Sequence, residues 1–203
     1  MDEFELIRRY FSPAAAADGV VTGVGDDGAV LEPTPGRQLV TVIDTLVEGT
    51  HFPRDFNPAD LGYRVVAVNL SDVAAMGAVP RWMTLALSLP EADHDWLSPF
   101  AEGLFTAAHE FDVALVGGDT TVSPERVATV QITAEVEPGK ALLRSGARPG
   151  DRIYVTGTIG DAAAGLDGLL HGHAVKELAA RFARPSARVH YGRALAGVAS
   201  AAI

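Results

Sequence analysis

The stretch NPADLGYRVVAVNLSDVAAMG, residues 57–77, predicts the long helix on which the rest of the fold is built. Asn57 is a good N-cap, because its side-chain oxygen can accept a hydrogen bond from the backbone of the first turn. Pro58 suits the first helical position, and Asp60 lies favourably in the positively polarised first turn. Gly77 can adopt the left-handed backbone that ends many helices, so we expect the helix to end just before it.

Asp72 is the most informative residue of this helix. Its neighbours are mostly small and apolar, so we expect this part of the helix to be well buried, with Asn69 and Ser71 beside Asp72 as a polar cluster. A buried carboxylate without a partner is costly. Asp72 therefore either caps a neighbouring backbone group or meets a metal ion or a base, and we favour the metal.

Strands and helices alternate on both sides of this helix, which predicts an α/β (α+β) class with an N-terminal mixed sheet and flanking helices. The predicted strands are 28–32, 38–44, 82–89, 113–116 and 127–136. The other predicted helices of this part are 2–11 and 95–111, and a loop is expected from Ser12 to Gly19.

Turn-forming residues at 137–140 and 147–150 predict a domain boundary. Residues 1–138 would form an N-terminal domain that binds metal and ATP and forms the dimer. Residues 139–203 would begin a second α/β domain, with a strand at 152–156, a helix at 161–170 and a last helical segment from 185 to 203. That last segment has no capping glycine or polar tail, so we expect the chain to continue in the intact protein.

Composition excludes several classes of function. The 203 residues include 26 Asp and Glu against 16 Lys and Arg, a formal net charge of −10, which argues against nucleic acid and anionic membranes as partners. The absence of cysteine excludes a disulfide framework, a thiolate zinc site and a cysteine nucleophile. The acidic N-terminus and the lack of a long apolar segment predict a soluble cytoplasmic protein.

Three further acidic sites lie in loops or at predicted strand ends. Residues 23–28, GVGDDG, formally match the dinucleotide fingerprint, but the residues that follow look like a strand and not the helix that the fingerprint requires. Asp26 and Asp27 in this turn suit a hard cation such as Mg²⁺, and the alternative is a solvated turn. Asp44 closes an apolar strand, and Asp119 follows two glycines, with a structural turn as the alternative for each.

Carboxylates that converge would need compensating cations, and several divalent ions could then bind a polyphosphate. Arg144 is a candidate phosphate contact, with an ordinary surface arginine as the alternative. His51 lies seven residues after Asp44 and could reach the same pocket, or it could be an ordinary loop histidine. The sequence contains no P-loop motif, kinase signature, GxSxG or HExxH, and we expect 171–173, HGH, to be simply exposed.

The motifs resemble those of the thiamine-monophosphate kinase family in order and spacing over nearly the whole chain. They are GDD at 25–27, DTLVEGTHF at 44–52, VNLSDVAAMGA at 68–78, GGDTT at 117–121, LLRSGARPGD at 142–151 and VTGTIGD at 155–161. The resemblance implies the aminoimidazole-ribonucleotide-synthetase-like superfamily, with two α/β domains and a homodimer built through the N-terminal sheets.

The resemblance also implies a reaction, the transfer of the ATP γ-phosphoryl group to thiamine phosphate with several Mg²⁺ ions. It implies that the metal ligands are Asp27, Asp44, Asp72 and Asp119, that the contacts to ATP are Gly118, Asp119 and Arg144, and that His51 contacts the substrate. The role of Asp26 is not assigned, and no residue is implied as a catalytic base, because a phosphate nucleophile is already ionised at neutral pH.

The chain departs from the family at Val42 and Ile43, where the family usually has hydroxyl residues that help to bind metal. One metal site would therefore be weakened or rebuilt. Two alternatives remain open. One is another ATP-dependent synthetase of the same superfamily, although the absence of cysteine argues against a member that uses selenide or a thiol, and the other is a non-catalytic dimerising, metal-binding module.

Overall fold

The structure is a computed structural model that describes residues 3–12 and 17–203. The helices are α1 (Glu3–Leu6), α2 (Pro58–Ala75), α3 (His94–Glu110), α4 (Asp161–His171), α5 (Lys176–Ala183) and α6 (Val189–Leu195). The strands are β1 (Val20–Thr22), β2 (Val30–Leu31), β3 (Gln38–Val47), β4 (Val79–Leu89), β5 (Ala114–Val122) and β6 (Val127–Val136). This mixed α/β architecture confirms the predicted class. Two predictions fall partly outside the described residues, namely residues 13–16 of the predicted loop at 12–19 and residue 2 of the predicted first helix.

A four-stranded sheet forms the centre of the molecule, in the order β3-β6-β4-β5. β6 pairs antiparallel with β3 and β4, whereas β4 and β5 are parallel. One line of paired residues crosses the whole sheet, through Asp44, Val130, Leu85 and Gly118. The strands β1 and β2 form a separate two-stranded sheet.

The two faces of this sheet have different environments. On one face, Val130, Ile132 and Leu85 are buried in a core shared with α2 and α3. On the opposite face, which we call the outer face, the exposed fractions of Leu39 and Ile43 are 53% and 63%. The outer face is therefore largely uncovered within the described part of the chain.

Helix α2 has the predicted ends. The Asn57 side-chain oxygen accepts hydrogen bonds from the N–H groups of Ala59 and Asp60 at 2.9 and 3.2 Å. Gly77 takes a left-handed backbone, with φ +68°, and its N–H donates to the Ala74 carbonyl at 3.0 Å. Both termini of the helix thus have local partners for their unpaired backbone groups.

The C-terminal part corrects two predictions. The predicted strand at 152–156 is absent, because residues 151–160 are exposed throughout and no described strand lies beside them to complete a ladder. The predicted last helix is shorter, since Ala196 leaves the helical backbone and Gly197 takes φ +82°. The predicted helix at 161–170 is confirmed as α4.

Helices α5 and α6 dock this C-terminal part onto α2. Arg184 Nε, just after α5, lies 2.5 Å from Asp60 Oδ1. Gly192 of α6 lies so close to α2 that a Cβ built on it would be 2.0 Å from the Ala74 carbonyl oxygen. None of the described helices is long and apolar enough to cross a membrane.

We expect Gly103→Ala to destabilise the protein, because a Cβ on Gly103 of α3 would lie 1.8 Å from the Ala59 carbonyl oxygen of α2. In an exposed helix, replacing glycine by alanine raises the free energy of unfolding by up to ~1 kcal/mol. At Gly103 we expect the opposite, a decrease of ~2 kcal/mol or more in the free energy of unfolding measured in urea. Gly28→Ala is a control outside the helices, because Gly28 lies in the loop before β2 and a Cβ there meets nothing within 4 Å. Equal unfolding free energies for the two variants would contradict the close helix approach.

Candidate functional site

Asp44 is the centre of the candidate site. It lies inside β3 and does not close it as predicted, because the ladder with β6 continues for three more residues to Val47. The carboxyl group is half-buried beside Asp72 and His51. Burial and the Asp72 charge raise the pKa of Asp44, and the His51 ring partly offsets this increase. The structure thus brings three of the predicted site residues into one electrostatic neighbourhood.

Asp72 is exposed, which corrects the prediction of a buried carboxylate. The helical period explains the difference: Asn69, Leu70 and Val73 point into the core, whereas Ser71 and Asp72 lie on the opposite side of the last turns of α2. Burial therefore does not make Asp72 dependent on a cation. The feature that would favour a cation is the nearby Asp44 carboxylate, because two like charges repel each other.

His51 lies in the loop that follows β3. Its backbone N–H donates to the Val47 carbonyl at 2.8 Å, and Gly49 gives the loop the left-handed residue, φ +74°, that the tight turn needs. The ring Nδ1 accepts a hydrogen bond from the Val47 N–H at 3.1 Å. Since Nδ1 is the acceptor, the neutral ring carries its proton on Nε2, and this group is free to donate to an anion.

Asp26 and Asp27 lie apart from this neighbourhood. They are exposed in the loop between β1 and β2, where the Asp27 N–H donates to Asp26 Oδ1 at 2.8 Å. A strand and not a helix follows the loop, as the sequence indicated. Within the described residues, neither carboxylate contributes to the pKa shift of Asp44 or forms a group of three metal-binding side chains with Asp44 and Asp72.

Gly118 and Asp119 lie within β5, a strand longer than predicted, at the opposite edge of the sheet. Gly118 is three strand spacings from Asp44, about 14 Å. A Cβ on Gly118 would lie 1.8 Å from the Leu85 carbonyl oxygen, so this position requires glycine. Asp119 pairs with Ala86 and lies with it on the outer face, whereas Asp44 lies on the face that carries α2.

Arg144 begins a short 3₁₀ turn, Arg144–Gly146, and is exposed. The turn is held close to the end of the chain, because a Cβ on Gly146 would lie 2.0 Å from the Ser200 carbonyl oxygen. Among the described residues, the Arg144 guanidinium has no hydrogen bond or ion pair. It is therefore a free cation on a fixed turn, but it does not touch the Asp44 neighbourhood.

The donor set at Asp44 and Asp72 fits a magnesium ion that is shared with a phosphate ligand. Residues 3–12 and 17–203 contain no group of three or more His, Cys, Asp or Glu side chains that could hold a metal alone. Magnesium in nucleotide sites commonly uses one or two carboxylates, with water and substrate phosphates as its other ligands. Burial and the Asp72 charge both raise the pKa of Asp44, and a bound cation would offset the effect of that charge.

Glu48 and Arg126 were not singled out by the sequence analysis. Glu48 is 93% buried, and its carboxylate Oε1 lies 2.9 Å from Arg126 Nη1. Glu48 lies between Asp44 and His51 in the DTLVEGTHF motif, so its place in the sequence pointed to the site. An acidic residue beside a turn glycine is, however, ordinarily predicted to be exposed.

We expect Asp72→Asn to raise the melting temperature of the metal-free protein at pH 7. A folded-state pKa above the unfolded value contributes stability at low pH that is lost as pH rises, so the ionised Asp44–Asp72 pair is destabilising at neutral pH. Asp72 also lies at the negative end of the α2 dipole, an effect of about 0.5 kcal/mol. The gain should shrink as the pH falls and the Asp44 carboxyl group takes up a proton, because the repulsion between the two carboxylates is then lost.

Asp60→Asn is the matched control at the other end of the same helix. Asp60 lies in the favourable first turn and pairs with Arg184, so its neutralisation should lower the melting temperature at pH 7. A drop for both variants would show that Asp72 stabilises the metal-free fold as a structural cap.

Comparison with known proteins agrees with the motif pattern. Residues 25–136 match the family model described as AIR synthase related protein, N-terminal domain. The thiamine-monophosphate kinase of Salmonella typhimurium is 50% identical over 208 residues, which cover 99% of this chain and 64% of that protein.

Two solved structures are also similar. The crystal structure of thiamine-monophosphate kinase from Stenotrophomonas maltophilia is 43% identical, with a TM-score of 0.88, over 99% of this chain and 66% of that chain. The structure of AaThiL complexed with AMPPCP and TMP is 32% identical, with a TM-score of 0.78, over 98% of this chain and 62% of that chain. The chain thus spans just under two thirds of the length of these relatives. By its match over residues 25–136, the chain belongs to the AIR synthase related family, in which its close relatives are thiamine-monophosphate kinases.

Proposed function

We propose that the protein transfers the γ-phosphoryl group of ATP to thiamine phosphate, which gives thiamine diphosphate and ADP. The observation that carries the proposal is the placement of Asp44, Asp72 and His51 in one electrostatic neighbourhood. The relatives of the chain that are named thiamine-monophosphate kinase support it. The complex of AaThiL with AMPPCP, an ATP analogue, and TMP supports the same pair of substrates.

Asp44 and Asp72 would hold magnesium in this proposal, together with the phosphates of ATP. Asp27 and Asp119 remain proposed ligands, which would have to act at other ions or in an assembly, because neither lies beside Asp44 in the described chain. Bound magnesium would neutralise the negative charge of the triphosphate. Val42 and Ile43 offer no side-chain oxygen, so the support for a further ion near Asp44 is limited to backbone carbonyls.

The other residues of the chain would bind and orient the two substrates. His51 Nε2–H would donate to the phosphate of thiamine phosphate, since Nδ1 is already engaged by Val47. Arg144 and the backbone at Gly118 would contact ATP. The attacking oxygen belongs to a phosphate that is ionised at neutral pH, so alignment with the γ-phosphorus is the main requirement and no general base is assigned.

We also propose two domains and a homodimer. Residues 1–138 would form the first domain and residues 139–203 would belong to a second. The outer face would form the dimer interface, because it exposes the apolar side chains of Leu39 and Ile43. Hydroxyl groups on this face form hydrogen bonds with one another. The paired hydroxyls are Thr45 with Thr129 at 2.9 Å and Ser88 with Thr121 at 2.8 Å, so a partner can cover this face without stranding them.

The phosphoryl transfer can be measured by chromatography of thiamine diphosphate formed from ATP and thiamine phosphate. We expect product with Mg²⁺, none with excess chelator, and a loss of about a thousandfold in kcat/KM for Asp44→Asn. Glu102→Gln, an exposed change on α3, is the control and should keep full activity. An active Asp44→Asn variant, or an unmodified protein without activity at saturating substrates, would contradict the proposal.

The dimer can be tested by sedimentation velocity at micromolar concentration. Ile43→Asp places a charge on the outer face and should convert a dimer into a monomer, because a buried unpaired charge is costly. Ile159→Asp is the control, since Ile159 is 87% exposed in the C-terminal part and should leave the dimer intact. A clean monomer for the unmodified protein would overturn the dimer proposal.

A further inference from the structure

Glu48 is one of three buried polar or charged residues of the described chain, with Asn69 and Glu135. A buried carboxylate is tolerated only when its oxygens are paired. Both oxygens of Glu48 are paired to a single residue: Oε1 accepts from Arg126 Nη1 at 2.9 Å and Oε2 accepts from the Arg126 backbone N–H at 3.1 Å. The Glu48 N–H in turn donates to the Arg126 carbonyl at 3.0 Å.

This three-bond contact extends the sheet beyond its last ladder pair. Val47 and Val127 are the final register partners of β3 and β6, and Glu48 and Arg126 lie immediately beyond them. The Arg126 guanidinium also lies over the Trp96 ring, 5.2 Å from its centroid. Trp96 stacks on the fully buried Phe100 of α3 at a centroid distance of 4.8 Å, so the ion pair is tied to the core.

The contact fixes which way the neighbouring Val47 N–H points. Successive N–H groups of a strand point to opposite sides, and the Glu48 N–H points to β6. The Val47 N–H of this edge strand must therefore point away from the sheet, where His51 Nδ1 accepts it. A change in the twist or register of the strand end at Glu48 would turn this donor away from the histidine.

We propose that Glu48 is a positioning residue that acts through Arg126 to hold His51 in the tautomer with its proton on Nε2, ready to donate to the phosphate of the substrate. The functional half of this inference rests on the proposed phosphoryl transfer to thiamine phosphate. The structural half concerns the tautomer of His51 alone and can be measured without substrate.

Glu48→Gln tests the structural half, because it keeps the shape and removes the charge that holds Arg126. Glu135→Gln is the matched control: Glu135 is equally buried and also accepts two hydrogen bonds, from Thr34. It lies eight residues along β6 from Val127, or about 27 Å. Both variants should lower the melting temperature of the intact protein.

Nitrogen chemical shifts of the histidine ring, recorded near pH 8, about 1.5 units above the ordinary histidine pKa, separate the two variants. We expect the unmodified protein and Glu135→Gln to show His51 with Nε2 protonated. Glu48→Gln should show a mixture of both tautomers. A Glu48→Gln variant that loses stability but keeps the tautomer of the unmodified protein would overturn the proposal. If Glu48→Gln does not fold, Arg126→Lys carries the same expectations, because it removes the planar guanidinium that pairs with Glu48 and lies over Trp96.

Kinetics test the functional half. Glu48→Gln should raise the KM for thiamine phosphate about twofold for an equal mixture of tautomers, because only molecules with the His51 proton on Nε2 can donate to the phosphate. We expect little change in kcat or in the KM for ATP. Glu135→Gln should leave the KM values unchanged. Unchanged KM values in Glu48→Gln, together with a mixed tautomer, would overturn the link to the substrate. Absence of any turnover in the unmodified protein would instead refute the proposed function and leave the tautomer result to decide the role of Glu48.

Discussion

The packing of α2 against its neighbours is the constraint on which the rest of the structure depends. Gly62 and Gly103 let α2 and α3 approach until backbone meets backbone, and Gly192 does the same for α6. The Asn57 cap fixes where α2 begins and Gly77 fixes where it ends. With both ends and two sides of the helix fixed, Asp72 has little freedom to move away from Asp44.

That placement has an electrostatic cost, which His51 relieves only in part in the metal-free chain. Two carboxylates share one neighbourhood, and the pKa of Asp44 is raised by burial and by Asp72. Such local conflicts between charge and fold are typical of functional sites, where a ligand supplies the missing compensation. Among the described residues, His51 is the only other titratable group that contributes to the pKa shift of Asp44. Its ring is oriented by Val47 and, in our proposal, by Glu48.

The sequence predicted most of the architecture because its signals were local. The cap at Asn57, the terminal glycine at Gly77 and the alternation along β6 each depend on neighbouring residues alone. The exposure of Asp72 and the extension of β3 and β5 past Asp44 and Asp119 depend on which face of α2 meets the sheet and on strand pairing, which are long-range. The strand predicted at 152–156 shows the same limit, since a strand-like sequence forms no strand without a neighbour. Among the site residues, Asp44, Asp72 and His51 lie in one electrostatic neighbourhood. The roles that the motif resemblance implies for these residues, and for Asp27 and Asp119, stay predictions.

In our proposal, Asp44 and Asp72 form a cation site that a nucleotide completes. Paramagnetic broadening by Mn²⁺, titrated into the Mg²⁺-free protein with AMPPCP and followed by carboxyl-carbon and histidine NMR, tests it directly. We expect the resonances of Asp44, Asp72 and His51 to broaden first and to sharpen again when excess Mg²⁺ displaces the Mn²⁺. If these resonances stay sharp while others broaden, such as those of Asp167 and His173, the claim is contradicted.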